Sequence, residues 1–288
     1  MIHNTQEGNV ENSALKALFR NNLNSLKEHF SKEVLELVES NIDFLMQHYI
    51  EWQRALPQVA KSLGVQANNL NNIPSLIEKD TFEKIRTKLL IERPKKIILG
   101  ISGPGAVGKE TIKKSLGFDS VVNTTTRERR IYESHGEHYN FINEIQFDEI
   151  LSKGGFIINM ERPGRGKYGI QKTDLEKILT KTNVAIIEEN PLNLTSLRDY
   201  LKDKESSEFI LIYVLPPSPV LPNLAARLAD RCIKSSSDFR LAINNTLDLR
   251  QLDEFNSTAQ SIQKGVNVLF IVNDSVERVT EKIKDLIK

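Results

Sequence analysis

Apolar positions recur along this chain with two different periods, and the change near residue 94 divides it. From Ser13 onward, Leu15, Leu18, Phe19, Leu23, Leu26 and Phe30 follow at the three- and four-residue intervals of one helix face. Residues 1–12 are polar and lack that stripe, which predicts a disordered tail. Ser31 is placed to cap a second helix whose face carries Val34, Leu35, Val38, Ile42, Leu45, Tyr49 and Trp52, with Pro57 ending or kinking it. Residues 68–72 and Pro74 read as a loop. Asp80-Thr81-Phe82-Glu83 then has the N-cap and third-position glutamate that open a helix through Leu90. Residues 13–93 thus predict a helical N-terminal domain. Its apolar stripes read as packing surfaces, facing the rest of the chain, a second copy forming a homo-oligomer, or a protein partner.

From Lys95 the pattern changes to short β-branched runs alternating with helical stretches, the mark of a parallel sheet. Strands are expected at 96–101, 120–123, 183–187, 209–214 and 268–272. Helices are expected at 109–116, 144–152, 172–181, 192–202, 222–231, 238–263 and 275–287. The reading is an α/β domain over residues 94–288 with a parallel sheet core, preceded by an all-α domain.

Charge changes this picture little. Lysine plus arginine number 39 against 38 acidic residues, a net charge of +1, so bulk attraction to nucleic acid or to a membrane surface is not expected. A single cysteine, Cys232, excludes an intramolecular disulfide framework and a cysteine-rich metal site. The N-terminus lacks the apolar core of a secretory leader, and no run approaches the ~20 apolar residues of a membrane span. A cytoplasmic protein is the expectation.

The candidate chemistry lies where the period changes. The run Lys96-Ile97-Ile98-Leu99-Gly100-Ile101-Ser102 leads into Gly103-Pro104-Gly105-Ala106-Val107-Gly108-Lys109-Glu110-Thr111. A buried strand, a glycine-rich turn and a lysine entering a helix form a phosphate cradle, in which loop N–H groups and the helix N-terminus converge on phosphate oxygens. Gly103, Gly108 and Lys109 have P-loop spacing. Glu110 stands where that pattern has a hydroxyl. Gly103, Gly105, Val107, Gly108, Lys109, Glu110 and Thr111 are the candidate cofactor-binding residues.

Further on come Thr124-Thr125-Thr126-Arg127-Glu128-Arg129-Arg130, Glu133, Gly136 and Tyr139-Asn140-Phe141. Then follow Phe147, Phe156, Tyr168-Gly169, Pro216-Pro217-Ser218, Arg227-Leu228, Arg231, Arg240-Leu241 and Asn273-Asp274. Together with the P-loop, this ordered series resembles the guanylate kinase family from about Lys95 to Lys288. The resemblance implies the three-layer P-loop kinase fold, ATP with Mg²⁺, and a small phosphorylated acceptor. It implies that Arg127, Arg130 and Tyr139 grip the acceptor phosphate, where paired guanidinium forks suit a dianion. Lys109, Arg231 and Arg240 would be catalytic, the two arginines as lid residues, and Asn273 would lie near adenine. Glu188, and Glu110 as a hard oxygen ligand, would hold the metal.

Three positions depart from the family's guanine site. Ile158, Ile170 and Asn123 stand where the family has a glutamate, a serine or threonine, and a serine; with Tyr168 they complete the expected substrate-binding set. Loss of those hydrogen bonds predicts an acceptor not selected as guanine. Acidic residues after the P-loop lysine also occur in ribose 1,5-bisphosphate kinases, so a sugar phosphate is a second acceptor class. A catalytically silent protein-interaction module of the same fold is the alternative to a kinase.

Overall fold

The computed structural model describes residues 4–64, 73–131, 133–162, 164, 166–201, 204, 207–247, 249–263 and 265–288. The loop expected at 68–72 and the side chains of Tyr49 and Trp52 lie outside that description.

Four helices come first: α1 (Asn4–Asn24), α2 (Lys32–Glu39), α3 (Ile42–Ser62) and α4 (Ile73–Glu92). Helix α1 opens at Asn4, so the disordered tail expected over residues 1–12 is helical from that point. A helix nucleated by a packed segment propagates outward at small cost, and no apolar stripe is needed for that. Ser31 caps α2 as expected, its Oγ accepting the Val34 N–H at 3.3 Å. The single helix expected beyond it is two. Asn41 donates its amide to the Leu37 carbonyl at 2.9 Å, closing the turn before α3. The periodicity conceals this break, because Val38 and Ile42 are both buried four residues apart. Pro57 lies inside α3 and does not end it. Helix α4 begins before Asp80, which pairs with Lys84 at 2.7 Å instead of capping. Its buried stripe, Ile73, Ile77, Thr81, Ile85 and Leu89, is spaced by fours.

The remainder is β1 (Lys96–Ser102), α5 (Lys109–Leu116), β2 (Asp119–Ser120), β3 (Thr124–Thr125), β4 (Asn140–Phe141), α6 (Glu144–Ser152), β5 (Phe156–Arg162) and β6 (Gly166–Gln171). It continues with α7 (Lys172–Lys181), β7 (Val184–Glu188), α8 (Pro191–Leu201), β8 (Ser207–Leu215), α9 (Val220–Ser235), α10 (Phe239–Leu247), α11 (Leu249–Gln263), β9 (Asn267–Val272) and α12 (Val276–Leu286). Five strands form a parallel sheet in the order β2-β7-β1-β8-β9, with helices packed against it, so the α/β fold with a parallel core holds. A second sheet, β4-β3-β6-β5, is mostly antiparallel and was not among the expected strands. Two of its strands are two residues long, too short for a period to register. Over the helical stretch expected at 238–263, α10 and α11 cover residues 239–247 and 249–263, with residue 248 outside the described residues. Among the described residues, no helix is long and apolar enough to cross a membrane.

One hydrophobic cluster runs from Phe19 of α1 through Leu45 and Ile77 to the sheet and on to Ile283 of α12. The N-terminal helices share this core, so the buried part of their stripes packs against the chain itself. Helix α4 lies along β9, the edge strand. Thr81 Oγ1 accepts the Phe270 N–H at 3.2 Å and Glu78 Oε2 accepts the Val272 N–H at 2.7 Å. The other Glu78 oxygen receives Arg278 at 2.8 Å and Lys282 at 2.5 Å from α12. An edge strand's outward N–H groups are thereby satisfied by a helix.

Candidate functional site

Strand β1 runs through the middle of the large sheet and hands the chain to the phosphate loop. Gly103 takes φ +133°, and a Cβ there would overlap the Val214 carbonyl, so the loop can lie against β8 only with glycine. Gly108 takes φ +92° directly before α5 and abuts the Asn273 amide. That amide donates to the Val107 carbonyl at 2.7 Å. Arg227 holds the same region, donating to the carbonyls of Asn273 at 2.7 Å and Val107 at 3.4 Å. Gly105 lies against Thr246 of α10.

Lys109 folds back across this loop and donates to the carbonyls of Gly103 and Pro104, both at 2.9 Å. Burial holds its ammonium below the usual lysine range, with Arg231 and Lys113 adding repulsion and Glu188 and Glu254 opposing it. A phosphate arriving at the loop would offer this cation better-charged partners than two carbonyls.

Two cavities of similar size border the loop. One, of about 750 Å³, is lined by Gly108, Thr111, Arg227, Arg231, Asn273 and residues of the α1–α2 connection. The other, of about 760 Å³, is lined by Gly103, Lys109, Glu110, Asn123, Tyr139, Tyr168 and Glu188 among others. Most of the residues expected from the sequence are therefore divided between two chambers that border one lysine-bearing loop. Asn123 donates to the Glu188 carbonyl at 3.3 Å, while its Oδ1 is buried with no partner among the described residues.

Arg127 and Arg130 stand beside the second cavity, outside its described lining. Glu133, buried, gathers them: Arg127 reaches both its oxygens at 2.7 and 2.9 Å, and Arg130 gives its backbone N–H at 2.9 Å. Arg127 also lies over the rings of Tyr139 and Phe141 at 5.4 and 5.7 Å. The hydrogen bond from Arg127 lowers the Glu133 carboxyl's pKa, so the cluster stays ionised. His135 and His138 accept backbone N–H groups of Phe141 and Ser134, both at 3.1 Å, and so brace this loop.

Two expectations change. Ile158 and Ile170 do not line the cavity: they face each other across β5 and β6 and belong to the hydrophobic core. Pleating puts them on the same sheet face as Tyr168, but they are buried, Ile170 completely. Arg240 is not at the phosphate loop. Its Nε donates to Asn41 Oδ1 at 2.8 Å and its guanidinium lies over Phe44 at 5.7 Å, so it is tied to the N-terminal helices.

The carboxylates read as metal ligands do come together, but around a lysine. Lys113 Nζ lies 2.6 Å from Glu110 and 3.1 Å from Glu188. Burial raises the cost of charge at Glu110, and the Lys113 contact outweighs it, leaving its pKa lowered. Burial likewise works against the Lys113 ammonium, and the two carboxylates more than offset it. Among the described residues no group of three or more His, Cys, Asp or Glu is gathered to hold a metal. As arranged, this donor set does not fit a divalent ion. Lys113 and Glu254 line the second cavity and Arg227 the first; of the three, only Arg227 carries a signal in the sequence, its place in the ordered series.

A sequence model described as guanylate kinase matches residues 93–288. The guanylate kinase of Mycoplasma mobile is 29% identical over 210 residues, 69% of this chain and 96% of that protein. That of Clostridium perfringens is 28% identical over 198 residues, 66% of this chain and 82% of that protein. A crystal structure of guanylate kinase from Anaplasma phagocytophilum gives a TM-score of 0.44 at 20% identity, covering 67% of this chain and 85% of that one.

Proposed function

The chain belongs to the guanylate kinase family, its match extending over well more than half the sequence, and on that premise we propose that it transfers the γ-phosphoryl group of ATP to a small phosphorylated acceptor. The observation carrying this reading is the pair of cavities bordering the loop that bears Lys109. A transfer between two bound phosphates needs one chamber for each and a cation where they meet.

In this reading the loop N–H groups and Lys109 hold the donor's terminal phosphates, and Asn273 braces that loop through the Val107 carbonyl. Arg127, Arg130 and Tyr139 hold the acceptor phosphate, and Arg231 neutralises charge on the group in transit. An acceptor oxygen attacks the γ-phosphorus, the bond to the bridging oxygen breaks, and ADP leaves. The acceptor phosphate is already ionised, so no general base is required. No step is assigned to a metal at Glu110 and Glu188.

Guanine is not the expected acceptor. Ile158 and Ile170 offer no hydrogen bond, and their burial in the core leaves the cavity's selectivity to polar residues such as Asn123, whose free Oδ1 awaits a donor. That leaves room for an acceptor without a guanine base, including a sugar phosphate of the ribose 1,5-bisphosphate kind. The engagement of Arg240 with Asn41 favours the second reading, a catalytically silent interaction module. The deciding experiment is ADP release from ATP and Mg²⁺ across nucleoside monophosphates, their deoxy forms and ribose 1,5-bisphosphate. Turnover with one acceptor, lost by at least about a hundredfold in Lys109→Ala, is the expected result. Silence across the panel would turn the assignment to the interaction module.

A further inference from the structure

The cavity on the α9 side of the phosphate loop has a wall drawn from the opposite end of the sequence. Leu26, His29 and Phe30, in the connection between α1 and α2, line it together with Gly108, Thr111 and Arg227. Helix α2 packs on α9, which places this connection across from the loop. The arrangement is fixed in advance. Leu26 is buried, Phe30 packs against the core, and the same helical layer holds α10 through Asn41 and Phe44 on Arg240.

The cavity's lining therefore joins polar loop residues to an apolar and aromatic wall. Gly108 and Thr111 bring the phosphate loop and the start of α5 to it. Leu26, Phe30 and the His29 imidazole supply the wall. The Arg227 guanidinium, pinned by two carbonyls, adds a planar cation that stacks well on aromatic faces. Asp230 and Asp274 also border the cavity, but each is paired, with Lys234 at 2.7 Å and with Arg278 at 2.6 Å, so their charge is largely compensated. A nucleoside triphosphate joins the same two characters, an anionic end and a flat base.

We propose that the α1–α2 connection forms the wall of the donor site that receives the nucleobase, so that the N-terminal helices are part of the ATP-binding machinery. This rests on reading the cavity as the donor site. The phosphate loop supplies affinity for any polyphosphate. The Leu26–His29–Phe30 wall supplies the added affinity for one that carries a base.

The test compares ATP with inorganic tripolyphosphate, which has the anionic end alone, by calorimetric titration of the full chain. Phe30→Ala should weaken ATP binding by about tenfold or more, the scale of one lost base-stacking contact, and change tripolyphosphate binding by less than about twofold. His29→Ala, at an exposed position, should act in the same direction by a smaller factor. Should Phe30→Ala fail to fold, Phe30→Leu keeps the apolar volume without the ring and carries the same comparison. Equal losses for both ligands, or no loss of ATP affinity in either variant, would overturn the base-receiving wall while leaving the donor site in place. Wild-type protein with no affinity for ATP would remove the donor reading itself.

Discussion

Position 110 sets how charge is distributed around this phosphate loop. A hydroxyl there would be neutral; a carboxylate needs a counter-charge, and Lys113, one helical turn on, provides it at 2.6 Å while also meeting Glu188. Replacing Lys113 with Met removes the cation that the two carboxylates share and leaves only Lys114, 3.8 Å from Glu110, an arrangement more open to a hard divalent ion. Mn²⁺ affinity of the nucleotide-free protein, followed by paramagnetic line broadening, should rise by about tenfold in Lys113→Met. An unchanged affinity would mean that Glu110 and Glu188 are not ion ligands even when free. The oddity of Glu110 is legible in the sequence, since it stands beside Lys109. The lysine's position is not: Lys113 and Glu188 are 75 residues apart and meet only because β7 pairs with β1. The same limit applies to Ile158 and Ile170, whose types rule out hydrogen bonding to a base but whose burial depends on the pairing of β5 with β6.

Helix α4 shows what periodicity reveals of an element and what it hides. Its apolar positions mark a buried face, but Glu78 and Thr81 lie on that face and read as solvated residues, and Asp80 imitates a cap. Their place is set by β9, whose unpaired N–H groups need acceptors that apolar side chains lack. Burial opposes the Glu78 charge, and Arg278, Lys282 and the Val272 N–H more than compensate, so its pKa in the folded chain lies below the ordinary carboxylate value of 4.5. A depressed folded pKa adds stability in full above the unfolded value, and that stability is lost as pH falls through the folded one. Glu78→Ala should cost about 3 kcal/mol near neutral pH, since it takes the carboxylate from Lys282 and the Val272 N–H and one of two carboxylates from Arg278. In urea melts of Glu78→Gln and wild type, the stability gap should narrow as pH drops below 4.5. A gap constant with pH would assign the effect to packing alone.

Across the whole molecule, the parallel core and most of its helices follow from sequence alone, because buried strands and amphipathic helices carry their own periods. The relation of the first four helices to the rest does not, because an apolar stripe does not name what covers it. In the fold it is covered by the same cluster that fills the sheet. A chain reduced to residues 94–288 would lose Thr81 and Glu78 from the edge of β9 and expose the apolar surface beneath α4. It should form concentration-dependent multimers in sedimentation, whereas a stable monomer with wild-type solubility would show that the sheet closes without these helices. The seal on β9 also bears on the order in which the molecule is made. Thr81 meets Phe270 across 189 residues and Glu78 meets Arg278 across 200, so the sheet-facing side of a helix synthesised early stays uncovered until the final strand and helix have emerged. Contacts so distant along the chain close late and slowly. The nascent chain therefore spends most of its synthesis with the buried face of α4 open to whatever chaperone or neighbouring chain reaches it first.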